Sequence, residues 1–227
     1  VMSKTINSDC ILIKEDNYSI LWGNKLFNLD KFITNNNIKS MGNCEQFHSN
    51  IMLESNTLKA PRCDAIYTNE ANHALIIKTA DCVPVLVKSN DYIFALHAGW
   101  RGLCQNILSN LSKYSMDKSS VAYIGPHISK NSYEVGPEVI DKILKDNTKL
   151  KNSESAFYEQ VKDKYLLNLK KLTILQLIDT GISPDNIISE DIDTLTSPNW
   201  NSYRREHSQA GRNISLIMKH PIANPTN

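Results

Sequence analysis

The sequence predicts an α+β fold in which sheets and helices pack in layers, and three features carry that expectation. Short segments of strand character crowd the first half of the chain, amphipathic helical periodicity appears between and after them, and the two kinds do not follow strict βαβ alternation. At 227 residues the chain can bury a substantial core without disulfide or metal staples, so a single domain over residues 1–227 is the simplest organisation.

Taken in order, the strand-like segments are Asp9 to Lys14, Tyr18 to Trp22, Asp64 to Thr68, Ala74 to Lys78, Val83 to Lys88 and Tyr92 to His97. Each is rich in β-branched or aromatic residues and is bounded by Asn, Asp, Ser or Gly, which favour turns. Leu103, Ile107, Leu108 and Leu111 recur at helical spacing after Gly102, and Val139, Ile140, Ile143 and Leu144 do so after Gly136-Pro137. The longest helical stretch runs from about Leu166 to Asp179 and should stop at Gly181, since glycine suits a left-handed cap. Thr34 to Ile38 and Asp146 to Glu154 read as surface connections, and no internal repeat interrupts the chain.

Composition narrows the function classes. Twenty-five Lys and Arg balance twenty-four Asp and Glu, and no basic stretch with interleaved aromatics suits a nucleic-acid groove. Neither a signal-peptide core nor a membrane span is legible, and G-x-G-x-x-G and G-x-x-x-x-G-K-[ST] loops are absent. Five irregularly spaced cysteines, an odd number, point to reduced thiols in a cytoplasmic setting rather than a disulfide framework.

The most informative segment runs from Thr79 to Gly102. A two-residue turn at Ser89-Asn90 would pair Lys88 with Asp91, Val83 with Leu96 and Cys82 with His97. Opposed residues share a sheet face with Cβ atoms about 4.5 to 5.5 Å apart, so a thiol and an imidazole would meet at the hairpin's end. A three-residue loop would shift the pairing by one and turn one partner away, and the nearly continuous apolar runs do not fix the register. Pro84 lacks an N–H for a ladder, which favours an edge strand or a bulge.

A Cys and a His in contact can act as a thiolate–imidazolium nucleophile pair, bind zinc or copper, or simply pack as a buried thiol beside a core histidine. Asp81 precedes the thiol, and Gly99-Trp100-Arg101-Gly102 follows the imidazole into a helix whose N-terminus would favour an anion.

Thr-Ala-Asp-Cys-Val-Pro-Val at 79–85 and His-Ala-Gly-Trp-Arg-Gly at 97–102 resemble the signature blocks of the laccase-domain family. That family is described variously as multicopper polyphenol oxidase, purine nucleoside phosphorylase or peptidoglycan editing factor. Further blocks fit in order: Gln46-Phe47-His48, Asp64 to Thr68, Gly125-Pro126, Tyr133 to Gly136, and Ser202 to Arg205 with Gly211-Arg212. Together they extend from Gln46 to Lys219. The chain departs from the pattern in several places. Residues 1–44 lack the usual glycine-rich segment with an arginine and read as shortened or divergent; Ser49 stands where glycine is usual. Ser129 to Ser132 lacks the cysteines usual before Tyr133, Ile192-Asp193 stands where a Cys-Thr pair is common, and His127 is an additional imidazole.

The resemblance implies a layered α/β/β/α sandwich of mixed sheets. It also implies that His48 joins Cys82 and His97 as the third ligand of one zinc ion, leaving a fourth position open as in catalytic sites. The implied activities are phosphorolysis of adenosine, inosine and methylthioadenosine and deamination of adenosine, with purine nucleosides and phosphate as partners. Asp81, Cys82 and His97 are then the candidate catalytic residues, and Arg101, Arg204 and Arg205 the candidate phosphate and substrate ligands. Two other readings stay open: a cysteine hydrolase editing peptidoglycan precursors, and a non-catalytic protein that binds metal or nucleoside. Copper-dependent polyphenol oxidation ranks lowest, since six histidines without an H-x-H pair do not supply several copper sites.

Overall fold

Alternation of side-chain direction along each strand decides which layer it joins. The structure, a computed structural model, describes residues 2–15, 17–55 and 60–221. Its elements follow in the order β1 (Ser3–Ile6), β2 (Cys10–Glu15), β3 (Tyr18–Gly23), α1 (Leu29–Asn35), β4 (Ser40–Gly42), β5 (Met52–Glu54), β6 (Ala65–Thr68) and β7 (His73–Thr79). Next come β8 (Val83–Lys88), β9 (Ile93–Ala98), α2 (Trp100–Cys104), β10 (Val121–Ile124), β11 (Glu134–Val135), α3 (Pro137–Asp146) and α4 (Glu154–Phe157). The chain ends with β12 (Tyr158–Val161), β13 (Lys164–Leu167), α5 (Leu169–Asp179), β14 (Ile187–Ser189), α6 (Tyr203–Glu206) and β15 (Asn213–Lys219).

Two six-stranded mixed sheets form the centre. One has the order β1-β2-β3-β15-β7-β4, antiparallel except at β4, and the other β14-β10-β8-β9-β6-β5, with parallel pairing at both edges. A small antiparallel sheet, β11-β13-β12, lies apart. Ile13, Ile20, Trp22, Leu75, Ile77 and Ile217 of the first sheet meet Ile66, Leu86, Ile93 and Tyr123 of the second in one buried cluster. On the other face of the second sheet, Val83, Val85, Val87, Phe94 and Leu96 pack on residues of α2, α3 and α5. Leu21, Ile76 and Leu216, on the first sheet's outer face, are covered by Phe32 and Ile33 of α1. Strands buried on both faces explain the near-continuous apolar runs, and the four layers are the expected α/β/β/α sandwich.

The predicted strands all form, with ends moved by at most one residue. The hairpin register does not match the expectation. Lys88 opposes Ile93 and Val83 opposes Ala98, across a four-residue turn closed by the Ser89 N–H on Tyr92 O at 2.9 Å and by Tyr92 N–H on the Ser89 hydroxyl at 3.1 Å. His97 therefore faces Pro84, not Cys82. The shift is two residues, an even number, so Cys82 and His97 stay on one face as diagonal neighbours.

Pro84 also stands in a central strand rather than at an edge. Its missing N–H would have met the carbonyl of Gly125, whose own N–H donates to Pro84 O at 3.0 Å. His127 resolves the gap: its Nδ1 donates to Gly125 O at 2.8 Å. The additional imidazole thus replaces a ladder hydrogen bond that proline cannot make.

Helical expectations shift in the same local way. The periodicity after Gly102 is divided by Asn106, which is left-handed at φ 56°, into α2 and a 3-10 helix over Ile107–Tyr114. The stretch predicted from Leu166 yields its first residues to β13 before α5 begins behind its Asn168 cap, and Gly181 takes φ 101° as expected. Asp146 to Glu154 is not a plain connection: a 3-10 helix spans Thr148–Ser153, with Leu150 buried. Thr34 to Ile38 is the end of α1 and its turn, and Ile38 is buried.

Candidate metal centre

Three segments converge at one end of the sandwich. The loop after β4 is held by Gln46, whose side-chain amide donates to Lys78 O at 2.8 Å and accepts from Lys78 N–H at 2.9 Å. That pair of bonds mimics a strand ladder where β4 has ended. Two residues later His48 takes φ 66°, a left-handed conformation uncommon for a side chain of its size.

Asp64, fully buried just before β6, holds this loop and β9 together. Its carboxylate accepts from the backbone N–H groups of Phe47 (3.2 Å), His48 (2.9 Å) and Ser49 (2.6 Å), from the Ser49 hydroxyl (2.7 Å), and from His97 Nδ1 (2.8 Å). Burial opposes ionisation of Asp64, but His97, Ser49 and His48 outweigh it and keep the carboxyl well below the usual carboxylate range. With Nδ1 engaged, His97 presents Nε2 to the centre.

Cys82 lies between β7 and β8, on the residue after Asp81, which has φ 83°. Its sulphur is 3.9 Å from His48 Nε2, and the His48 and His97 rings meet edge-on at 4.9 Å between centroids. Ligand atoms of His48, Cys82 and His97 all lie within 4.8 Å of one another. Gly99 makes this approach possible: a Cβ there would sit 2.9 Å from Cys82 Sγ and 3.1 Å from His48 Cδ2. Burial pushes the Cys82 thiol up, yet the adjacent His97 and His48 bring it down to about 6. Burial disfavours charged His97, while Cys82 and Asp64 raise it to about 9.

The donor set suits a metal. Two imidazoles and a readily ionised thiol match borderline cations, and a carboxylate behind one imidazole fixes its tautomer as metal-ligating histidines require. His48, Cys82 and His97 form a group that could hold one metal ion.

The centre opens into a cleft of about 630 Å³ lined by Cys44, Gln46, Lys78, Trp100, Arg101, Tyr133, Tyr203, Arg204 and Arg212 among others. Arg101 stacks on Trp100 at 4.5 Å and Arg204 on Tyr133 at 5.2 Å, while Arg204 also donates to Glu134 O at 3.1 and 3.2 Å. Arg205 is turned away: it donates to the carbonyls of Thr194 (2.8 Å), Leu195 (2.6 Å) and Trp200, and pairs with Glu206. It braces a loop instead of facing the cleft. The Asp81 carboxylate accepts from the Thr194 hydroxyl (2.7 Å) and the Arg204 N–H (2.7 Å), which ties the strained residue beside Cys82 to α6. The helix after His97 starts at Trp100 and is only five residues long, so its dipole offers little to an anion. Tyr133 and Arg212 stand in the family-like blocks but carry no assigned role from sequence, and nothing in the spacing of Lys78 distinguishes it.

A four-layer sandwich with His, Cys and His converging in the lining of a cationic, aromatic cleft defines a protein built around a candidate mononuclear metal centre. Comparison gives the particular family. The chain belongs to the laccase-domain family described as multi-copper polyphenol oxidoreductase laccase, whose sequence model matches residues 27–220. A Rickettsia prowazekii protein named purine nucleoside phosphorylase is 28% identical over 225 residues, covering 96% of this chain and 92% of that one. The Escherichia coli purine nucleoside phosphorylase YfiH is 33% identical over 180 residues, covering 76% and 71% respectively. Among solved structures, YlmD from Geobacillus stearothermophilus superposes with a TM-score of 0.84 at 19% identity, covering 97% of this chain and 99% of that one. Among the described residues no helix is long and apolar enough to cross a membrane.

Proposed function

We propose that the protein is a zinc-dependent purine nucleoside enzyme, phosphorolysing adenosine, inosine and methylthioadenosine and deaminating adenosine. The observation that carries the proposal is the convergence of His48, Cys82 and His97 in the lining of a cleft that also holds arginines and aromatic rings. Relatives named purine nucleoside phosphorylase support the substrate class. When bound, zinc supplies Lewis acidity at neutral pH.

The chain's own residues divide the remaining work. Trp100, Tyr133 and Tyr203 offer faces on which a purine stacks, and Arg101 and Arg204 are oriented by those same rings. Arg101 and Arg204, with Arg212 and Lys78 on the same wall, hold phosphate against the ribose, where a phosphate oxygen forms a bond to C1′ as the bond to the purine nitrogen breaks. Asp64 keeps His97 in one tautomer, and Asp81 holds the backbone that presents Cys82. The test is release of hypoxanthine from inosine with and without phosphate: dependence on phosphate supports the reading, and no base release at any phosphate concentration overturns it.

A second reading has one specific observation in its favour. Asp64, His97 and Cys82 stand in the relation of an orienting carboxylate, a base and a nucleophile, as in a cysteine hydrolase. A metal-ligated thiolate is not a free nucleophile, so zinc-free protein with a rapidly alkylated Cys82 would favour peptide-precursor hydrolysis.

A further inference from the structure

We propose that the pocket in front of His127 is a second binding site, separate from the metal centre, that takes the primary ammonium head of a small amine. The inference is independent of the nucleoside chemistry. Three strips of chain wall the pocket: the turn after β10 that carries His127, the start of α5, and Glu190 to Asp193 after β14. None of its residues lines the cleft of the metal centre. At about 240 Å³ it falls below the roughly 300–1,000 Å³ of sites for drug-sized ligands, so it suits a molecule of few heavy atoms.

His127 supplies the polar atom that calls for a ligand. Its ring is 5% exposed, and Nδ1 is committed to Gly125 O at 2.8 Å. With Nδ1 donating, Nε2 of the neutral ring carries a lone pair and can only accept. No group among the described residues donates to Nε2, and the atom is not sealed from solvent, so it meets the pocket that the ring lines. The backbone fixes the ring's place: His127 and Asp193 form a parallel bridge, the His127 N–H donates to Ile192 O at 3.3 Å, and its carbonyl accepts from Thr194 N–H at 3.0 Å. Burial holds the imidazole below its usual pKa although the Gly125 hydrogen bond opposes this, which leaves the ring uncharged at neutral pH.

Charge in the pocket selects a cation. Lys170 pairs with Asp191, Lys130 with Glu159 at 2.5 Å, and Glu190 with Lys4 at 2.7 Å, and these pairs cancel. Asp193 is different. Its carboxylate accepts from the Ser129 N–H (3.2 Å) and hydroxyl (2.9 Å), the Ser132 hydroxyl and the Leu195 N–H (3.0 Å), all of them neutral. Burial opposes its ionisation, but the serine hydroxyls outweigh burial and hold the carboxyl below its usual range. One uncompensated negative charge thus lies across the bridge from an uncommitted lone pair. A primary ammonium satisfies both, donating an N–H to His127 Nε2 and offsetting Asp193. Sodium or a quaternary ammonium balances the charge but has no N–H to give. A metal ion lacks ligands here, since among the described residues the one group of three ligating side chains is His48, Cys82 and His97.

The test is NMR of the histidine ring nitrogens in the full chain, titrated with ethylammonium chloride and, at the same ionic strength, with tetramethylammonium chloride or sodium chloride. Accepting a hydrogen bond moves a ring nitrogen upfield. The expected result is a saturable upfield shift of His127 Nε2 with ethylammonium alone, while His48 and His97 stay in place. In His127→Asn the side-chain amide keeps a donor for Gly125 O but Nε2 is gone, and calorimetry should show ethylammonium affinity reduced at least about tenfold. Asp193→Asn, which removes the charge and leaves His127 intact, should weaken binding several-fold. The lysine side chain of Nα-acetyllysine amide should bind more weakly than ethylammonium, as a pocket for a small free amine requires. No saturable shift with ethylammonium, an equal shift with tetramethylammonium or sodium, undiminished affinity in His127→Asn, or tighter binding of the lysine derivative overturns the proposal.

Discussion

At the scale of single residues, Asp64 does most to organise the centre, because one carboxylate fixes both the His48 loop and the His97 ring. Asp64→Asn keeps the shape but loses the charge, and replacing the partner of a metal-ligating histidine in this way weakens metal binding about 10–100-fold; competition against a zinc chelator measures it. The same residue makes stability depend on acid. Its folded pKa lies below the unfolded value of about 3.9, so its stabilisation is present above that pH and fades as pH falls toward the folded value. The Tm gap between wild type and Asp64→Asn should therefore narrow below about pH 4. Cys82 offers a second pH test. With the thiol brought down to about 6, metal-free protein should be alkylated by iodoacetamide at a rate that rises through that pH and levels off. A free cysteine levels off only above about 8.5.

At the scale of elements, the meeting of Cys82 with His97 was legible in the sequence although its register was not. The apolar runs of β8 and β9 are buried on both faces, so no polar alternation marks which residue opposes which. Ser89 decides the matter by bonding Tyr92 through both its N–H and its hydroxyl, a turn preference that Ser89-Asn90 does not announce. Gly99 ends β9 where a side chain cannot fit. Gly99→Ala places a methyl 2.9 Å from Cys82 Sγ and should lower zinc content while leaving circular dichroism unchanged. Gly181 is required for a different reason, its φ of 101°. Gly181→Ala should destabilise the fold by about 1 kcal/mol, a Tm loss of about 2–4 °C, without changing zinc content. Arg205 shows the limit of reading neighbours in sequence: beside Arg204 it looked like half of an anion clamp, yet α6 turns it toward backbone carbonyls.

At the scale of the whole molecule, the layers follow from strand alternation, but the third ligand does not. Nothing in the spacing of six histidines selects His48; only the resemblance of Gln46-Phe47-His48 to a family block did so, and the structure then brings it to the other two. The departures from that family also become intelligible once folded. Ser129 and Ser132, in the stretch that lacks the family's usual cysteines, both donate to Asp193, which stands where the threonine of a Cys-Thr pair is common. The three form one hydrogen-bonded cluster. Asp193 is adjacent to Thr194, which bonds Asp81, and the cluster thereby reaches the backbone of Cys82.

Elemental analysis of protein purified without added metal tests whether His48, Cys82 and His97 hold one zinc ion. Wild type should carry about one zinc per chain, with Cys82→Ala and His48→Ala nearly empty yet still folded by circular dichroism. A wild-type protein free of zinc that takes up none on addition, or a Cys82→Ala variant that retains it, would contradict the account.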